Sequence, residues 1–180
     1  MCFDIVVIDC GVDIRHPALS SYSDIYCTYL PPHSDKLVPD AIDIFGHGTA
    51  VTGIIKAIRP QTTILSLRIF DLLDGNPISS ESRLISALQY IDKHIETKVV
   101  NISSTIVAPT KMEGLATITR QLTKKGVVLV STFENDGALT YPAAFEWVIG
   151  IASDQFRTPG AGFALTNDPV INIIDSNQRI

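Results

Sequence analysis

Asp43-Ile44-Phe45-Gly46-His47-Gly48-Thr49-Ala50-Val51-Thr52-Gly53-Ile54-Ile55 sets a histidine between two glycines at the start of an apolar run. Gly46 and Gly48 let the backbone run close to whatever His47 faces. Val51, Ile54 and Ile55 recur at helical spacing, which predicts a helix that buries them beneath the histidine. His47 then stands at a helix N-terminus, where the partial positive charge of the backbone disfavours imidazolium and favours a neutral base. Alone, such a histidine reads more readily as part of a capped turn, so its meaning depends on what the rest of the chain brings beside it.

Upstream, Ile5-Val6-Val7-Ile8 is a β-branched run that ends in Asp9-Cys10-Gly11, a strand buried on both faces with an aspartate at its carboxyl end. Residues 14 to 40, with His16-Pro17, Pro31-Pro32 and Pro39, read as a loop-rich excursion holding one short strand, His16 being structural and His33 solvated. Downstream, Thr63 to Phe70 alternates like a strand and Asp71 to Pro77 reads as a turn. Ser79-Ser80-Glu81 caps a helix with Leu84, Ile85, Leu88, Ile91 and Ile95 on its buried face and His94 on its rim. Lys98 to Ile106 is the next strand, and Leu115, Ile118 and Leu122 pace a helix that stops at Gly126. Val127 to Ser131 is again a strand, leading into Thr132-Phe133-Glu134-Asn135-Asp136-Gly137. Trp147 to Ala152 and Val170 to Ile174 read as the last strands.

Strand and helix alternate with connections too long for hairpins. The pattern predicts a three-layer α/β fold, a mostly parallel sheet with helices on both faces, as a single domain over residues 1–180. Sites in such sheets form at the carboxyl ends of strands. Asp9, His47 and Asn135 all fall on that edge.

Bulk properties narrow the function. The 180 residues are 46% hydrophobic without a biased tract, as expected of an ordered globular protein. A formal charge of -5, with no basic cluster longer than Lys124-Lys125, argues against nucleic-acid or anionic-membrane surfaces and for protein or peptide partners. The start of the chain lacks the pattern of a secretory signal, and no apolar run reaches membrane-spanning length, so a cytoplasmic protein is expected. Cys2, Cys10 and Cys27 lack metal-ligand spacing and read as free thiols. Asp35, Asp40 and Asp43 do not form a calcium-loop pattern; no metal or cofactor is expected.

An aspartate, a histidine and an amide donor on one edge suit acyl transfer by a serine nucleophile. The carboxylate orients the imidazole, the imidazole takes the nucleophile's proton, and the amide donates to the oxyanion. In this order the residues resemble the subtilisin-like serine proteases. Ile8-Asp9-Cys10-Gly11-Val12-Asp13 with His16-Pro17 is similar to the family's aspartate segment, and Gly46-His47-Gly48-Thr49-Ala50-Val51-Thr52-Gly53 to its histidine motif. Val99-Val100-Asn101-Ile102-Ser103 resembles the strand leading to the substrate-binding edge. Val130 to Gly137, followed by Tyr141-Pro142-Ala143 and Val148-Ile149, resembles the segment with the oxyanion-hole asparagine. The resemblance implies catalytic roles for Asp9, His47 and Asn135. It implies that Ser103, Ser104 and Thr105 pair with a substrate bound as an extended strand, and that Phe133 and Glu134 also contact it.

Several positions depart from the family. No G-T-S-x-A motif, which carries its nucleophile, occurs in the chain; Gly160-Ala161-Gly162-Phe163-Ala164 matches its shape only superficially. The expectation is therefore that the domain is incomplete at its C-terminal side, with a further segment supplying the serine. Ala50 and Cys10 replace a second histidine and a small hydroxyl residue. Beside Asp9 the Cys10 thiolate is disfavoured, which argues against it as a substitute nucleophile. Glu134 and Thr105-Ile106 replace glycines lining the pocket for the side chain before the scissile bond; with Asp136 nearby, a narrower, acidic pocket preferring basic or small polar residues is expected.

Two functions compete. One is an intracellular serine endopeptidase that trims a peptide or protein precursor, the expectation that follows from the absence of secretory and inhibitory leader patterns. The other is an inactive pseudoprotease acting as a peptide-binding or scaffold module. Joint retention of Asp9, His47 and Asn135 favours the enzyme.

Overall fold

At the centre lies β1 (Cys2–Asp9), where Val6, Val7 and Ile8 are all fully buried. Side chains alternate across a strand, so burial of successive residues requires cover on both faces, the environment of a parallel sheet. The structure, a computed structural model, describes residues 1–134 and 138–154 together with the strands over 163–165 and 173–176.

The other strands are β2 (Ile25–Tyr29), β3 (Val38–Pro39), β4 (Ile64–Arg68), β5 (Asp71–Leu73), β6 (Asn76–Ile78), β7 (Glu96–Ile102), β8 (Val128–Thr132), β9 (Ile149–Asp154), β10 (Phe163–Leu165) and β11 (Ile173–Ser176). One sheet has the order β10-β11-β9-β8-β7-β1-β4-β2-β3. Its inner strands are parallel, and β3 and β10 run antiparallel at the edges. The chain winds from β1 towards β4 on one side and then, from β7 onward, away on the other. The reversal beside β1 is a topological switch point, which opens a crevice at the carboxyl end of the sheet where Asp9 stands.

Three helices cover the sheet: α1 (His47–Ile58), α2 (Glu81–His94) and α3 (Met112–Lys124). On one face Val6, Ile8, Leu65, Leu67, Val100, Ile102 and Leu129 pack with Leu84, Leu88 and Ile91 of α2 and Leu115, Ile118 and Leu122 of α3. α2 starts where expected, the Ser80 hydroxyl accepting from the Arg83 N–H at 3.3 Å. Beyond α3, Gly126 has φ 87°, a left-handed conformation suited to glycine after a helix.

The opposite face belongs to α1, and here the structure reverses an expectation. Val51, Ile54 and Ile55 do not bury the helix: Ile54 is 46% exposed, Val51 and Ile55 are only partly covered, and Ile58 is 79% exposed. The buried side is polar instead, formed by Gly48, Thr49, Thr52 and Lys56. Lys56 explains how that is tolerated. Its Nζ donates to Asp24, to the Pro60 carbonyl at 3.1 Å and to the Thr62 carbonyl at 2.6 Å, and lies 4.8 Å from the Tyr22 ring centroid. A buried ammonium with all donors used and an anion beside it is affordable; an unpaired one is not.

Cover on this face thins across the sheet. Ile64, Ser66 and Val7 are buried, Val99 and Val130 half-buried, Val128 42% exposed and Thr132 exposed. Among the described residues, the apolar side of α1 and this flank of the sheet thus receive less packing than parallel strands normally do.

Three boundaries also differ. The excursion over 14–40 holds two strands, not one, because Ile25–Tyr29 pairs parallel to β4 while Val38–Pro39 closes its outer edge. Asp71 to Ile78 is a hairpin rather than a plain turn: β5 and β6 pair across Asp74-Gly75, whose φ values of 52° and 79° are those of a tight hairpin turn. The strand expected over 98–106 runs over Glu96–Ile102, and Ile106 instead pairs in isolation with Tyr141. Of the expected strand over 170–174, residues 170 to 172 lie outside the described residues. Gly160, Ala161 and Gly162 do as well.

Lys56→Ala is expected to destabilise the fold by about 3 kcal/mol, since it strands two carbonyls and Asp24 and leaves a void. Urea denaturation followed by circular dichroism measures it; a loss under about 1 kcal/mol contradicts the account.

Candidate active site

The site begins with two glycines. Gly11, just past β1, has φ 110°, and a Cβ there would lie 2.0 Å from the Ile42 carbonyl oxygen. A Cβ on Gly48 would lie 2.1 Å from the Gly11 carbonyl oxygen and 3.2 Å from both Cβ and Cγ of Asp9. Only hydrogen at these positions lets the first turn of α1 press onto the end of β1. Of the two glycines beside His47, Gly48 brings backbone close to the group the histidine faces, as its sequence pattern implied, whereas Gly46 has open space around it and is required instead by its φ of 90°.

Asp9 and His47 meet across that contact. His47 Nδ1 lies 2.8 Å from Asp9 Oδ2 and 3.1 Å from Oδ1, and Oδ1 also accepts from the Cys10 N–H at 2.7 Å. The Asp9 side chain is 3% exposed and the His47 side chain 54%. A buried carboxylate therefore holds one ring nitrogen, fixing the tautomer with the proton on Nδ1, and leaves the outer part of the ring accessible.

The direction of the His47 titration is opposite to that expected from its place at a helix start. The hydrogen bond from Asp9 raises its pKa above the ordinary histidine value; partial burial opposes this, and the charges of Asp9 and Asp43 add to the rise. A helix terminus contributes about 0.3–1 kcal/mol at an exposed site, a hydrogen bond to a charged group about 1.5–3, so the carboxylate decides. Burial, with the neighbouring Asp43 and Asp9, pushes the Cys10 thiol well above its usual value, so Cys10 is a poor nucleophile, as its sequence context implied.

The remaining candidates lie at the ends of β7 and β8. The Ser103 N–H donates to the Ile8 carbonyl at 3.0 Å, and its hydroxyl accepts from Asn101 Nδ2 at 3.1 Å, so this residue is turned into the sheet. Ser104 is buried and, with Thr105, follows the last residue of β7. Thr105 Oγ1 donates to Glu134 Oε1 at 2.7 Å, linking the segment after β7 to the one after β8. Phe133 is buried, its N–H donating to Ile151 at 2.8 Å, while Glu134 is exposed. Asn135 and Asp136 lie outside the described residues.

Two residues near the pair had no role assigned from sequence. Asp43 and Thr49 bond to one another, Thr49 Oγ1 to Asp43 Oδ2 at 2.5 Å, at the start of α1. The readable signal was an acidic residue just ahead of a helix whose own N-cap, Gly46, has no side chain to offer. Asp40, considered alongside Asp43 for a metal, instead pairs with Arg68 at 2.6 Å.

Fold and site together define a doubly wound α/β protein with a carboxylate–imidazole couple at its switch point. Comparison with known proteins carries this further. The chain is 28% identical over 183 residues to the major intracellular serine protease of Bacillus subtilis (strain 168), an alignment covering 92% of this chain and 55% of that protein. It is 32% identical over 167 residues to the thermophilic serine proteinase of Bacillus sp. (strain AK1), covering 85% and 39%. The structure of the prenylagaramide maturation protease PagA superposes with a TM-score of 0.64 at 23% identity, over 86% of this chain and 53% of that one. No family model matches the chain. In sequence and in fold the chain is a relative of the subtilisin-like serine proteases. It spans about half the length of the first of these relatives, and less of the second.

Asp9→Asn is expected to bring the His47 titration midpoint down to, or below, the ordinary value near 6.5, read by NMR of the imidazole C–H protons. Because the folded-state pKa is raised, the stability contributed by the Asp9–His47 contact is full below the unfolded value and is lost as pH rises through the folded one. The stability difference between the natural protein and Asp9→Asn should shrink over that window; one that grows with pH contradicts the assignment.

Proposed function

We propose that the chain carries the acid–base half of a subtilisin-type serine endopeptidase. Asp9 orients His47 and stabilises its charged form; His47 accepts the nucleophile's proton and returns it to the leaving amine; Asn135 donates its amide to the oxyanion. The observation that carries the reading is the 2.8 Å contact between a buried Asp9 and an accessible His47. Such a pair has one unengaged ring nitrogen with which to meet a hydroxyl.

The nucleophilic serine comes from a segment outside these 180 residues. Two observations support this: the chain contains no G-T-S-x-A motif, and among the described residues the face of the sheet beside α1 is only partly covered over β7 and β8. Substrate binds as an extended strand along Ser104 and Thr105, with Ser103 anchoring that segment to β1 and Phe133 and Glu134 on the opposite wall. The Thr105–Glu134 bond narrows the space between the walls, which favours a small polar or basic side chain before the scissile bond. An intracellular role, and the trimming of a peptide or protein precursor, are the finer part of the proposal. The first has support in the printed name of the Bacillus subtilis relative, an intracellular serine protease. No helix among the described residues is long and apolar enough to cross a membrane.

The test is labelling by a serine-directed fluorophosphonate of the natural protein with all segments that accompany it. Labelling is expected, and His47→Ala should reduce hydrolysis by about 10⁶-fold, the scale established with subtilisin itself. A fold-competent protein that binds peptide without labelling favours the peptide-binding module instead, and labelling that survives His47→Ala unchanged overturns the proposed mechanism.

In the labelled protein, Glu134→Gln should lower kcat/KM for substrates with a basic residue before the scissile bond by about two- to fivefold, as expected for loss of one exposed charge partner. Small polar residues should be little affected. A peptide library that prefers large apolar residues at that position removes the specificity proposal and leaves the catalytic one standing.

A further inference from the structure

Asp43 collects five donors. Its Oδ1 accepts from Cys10 Sγ at 3.0 Å, the Phe45 N–H at 3.0 Å and the Gly46 N–H at 2.7 Å, and its Oδ2 from the Thr49 N–H at 2.8 Å and Thr49 Oγ1 at 2.5 Å. These donors come from two places. Cys10 is the residue after Asp9, at the end of β1; the others are the last residues before α1 and its first turn.

A helix leaves its first N–H groups unsatisfied. Here the N-cap, Gly46, sits at φ 90° without a side chain, and the first turn of α1 holds no acidic residue. Asp43 supplies from outside the helix what the N-cap cannot. Thr49 extends the tie, its Oγ1 accepting from the Asp13 N–H at 3.0 Å, and the Ile44 N–H donates to the Cys10 carbonyl at 3.3 Å. Residues 10–13 and 43–49 are thereby laced together on both sides of the Asp9–His47 contact.

We propose that Asp43 is the positioning residue of the Asp9–His47 pair: it ties the end of β1, through Cys10, to the first turn of α1, and so sets where the His47 ring stands relative to Asp9. The inference rests on the reading of Asp9 and His47 as the acid–base pair and adds to it a residue that touches neither substrate nor reacting atoms. Burial pushes the Asp43 carboxyl up, but the bonds from Cys10, Thr49, Phe45 and Gly46 outweigh it and hold the group below the usual carboxylate range, so it is charged throughout the neutral range. The charge also acts at a distance. The acidic groups facing His47 are Asp9 from β1 and Asp43 from the segment before α1, and both raise its proton affinity.

The protein labelled in its histidines gives a readout that needs no activity. The natural protein should show a downfield Nδ1–H proton for His47 and a titration midpoint above the ordinary histidine value. Asp43→Asn keeps the shape of the side chain but loses its charge and one acceptor oxygen. It should weaken or broaden the downfield signal and reduce the proton-binding constant of His47 by about two- to fivefold, a fraction of one pKa step.

Lys56→Ala, which loosens α1 at its far end, separates positioning from mere stability. It should lower the melting temperature and leave both His47 signals unchanged. A folded Asp43→Asn protein with the natural titration and downfield proton overturns the proposal, as does a Lys56→Ala protein in which both change as much as in Asp43→Asn. Should Asp43→Asn fail to fold, Cys10→Ala severs the tie to β1 alone: a weakened Nδ1–H signal upholds the assignment, and an unchanged one overturns it. Failure of the pair itself looks different, because Asp9→Asn would then leave the His47 titration where it was.

Discussion

Everything at the site depends on how closely the first turn of α1 approaches the end of β1. The Gly48 Cα faces the Gly11 carbonyl at a distance that excludes even a methyl group, and Asp9 lies against the same glycine. The approach is costly in polar terms, since it brings a strand end and a helix start, both with unpaired backbone groups, into one small volume. Asp43 offsets part of that cost at the helix start, accepting from the Phe45, Gly46 and Thr49 N–H groups, and also takes the Cys10 thiol beside the strand end. The Asp9–His47 contact is the result of this packing.

The same economy explains the unusual orientation of α1. A helix with Val51, Ile54, Ile55 and Ile58 on one side would by the usual reasoning turn that side to the sheet. It turns Thr49, Thr52 and Lys56 inward instead. Two polar anchors fix this, Asp43 and Thr49 at the N-terminus and Lys56 with Asp24, Pro60 and Thr62 at the C-terminus. On the apolar side, Ile54 and Ile58 are left exposed. Helix and sheet flank share a surface that the described residues leave partly open.

The sheet was legible in the sequence because its signals are local. Ile5 to Ile8, Val99 to Ile102 and Val128 to Val130 are β-branched runs of the length of a buried strand, and the helices between them carry clear periodicity in Leu84, Leu88 and Ile91 or Leu115, Ile118 and Leu122. Elements stabilised mainly by their neighbours were read less well. β2 lies in a proline-rich stretch and is a strand because β4 offers it a parallel partner. The β5–β6 hairpin has strands of only three residues each, so the stretch reads as a plain turn although Asp74-Gly75 is a strong hairpin signal.

By itself the sequence determined the alternation of strands and helices, the placing of Asp9 at a strand end and His47 at a helix start, and, through Gly48, that backbone could come close to what His47 faces. It did so because periodicity and glycine requirements are properties of short segments. Only the tertiary structure decided which side of α1 is buried, that Asp43 joins both halves of the pair, and that a carboxylate at 2.8 Å rather than the helix terminus governs the proton affinity of His47. Those outcomes depend on side chains 32 or more residues apart being brought together, where a single hydrogen-bonded charge outweighs the weaker preferences that a local pattern can express.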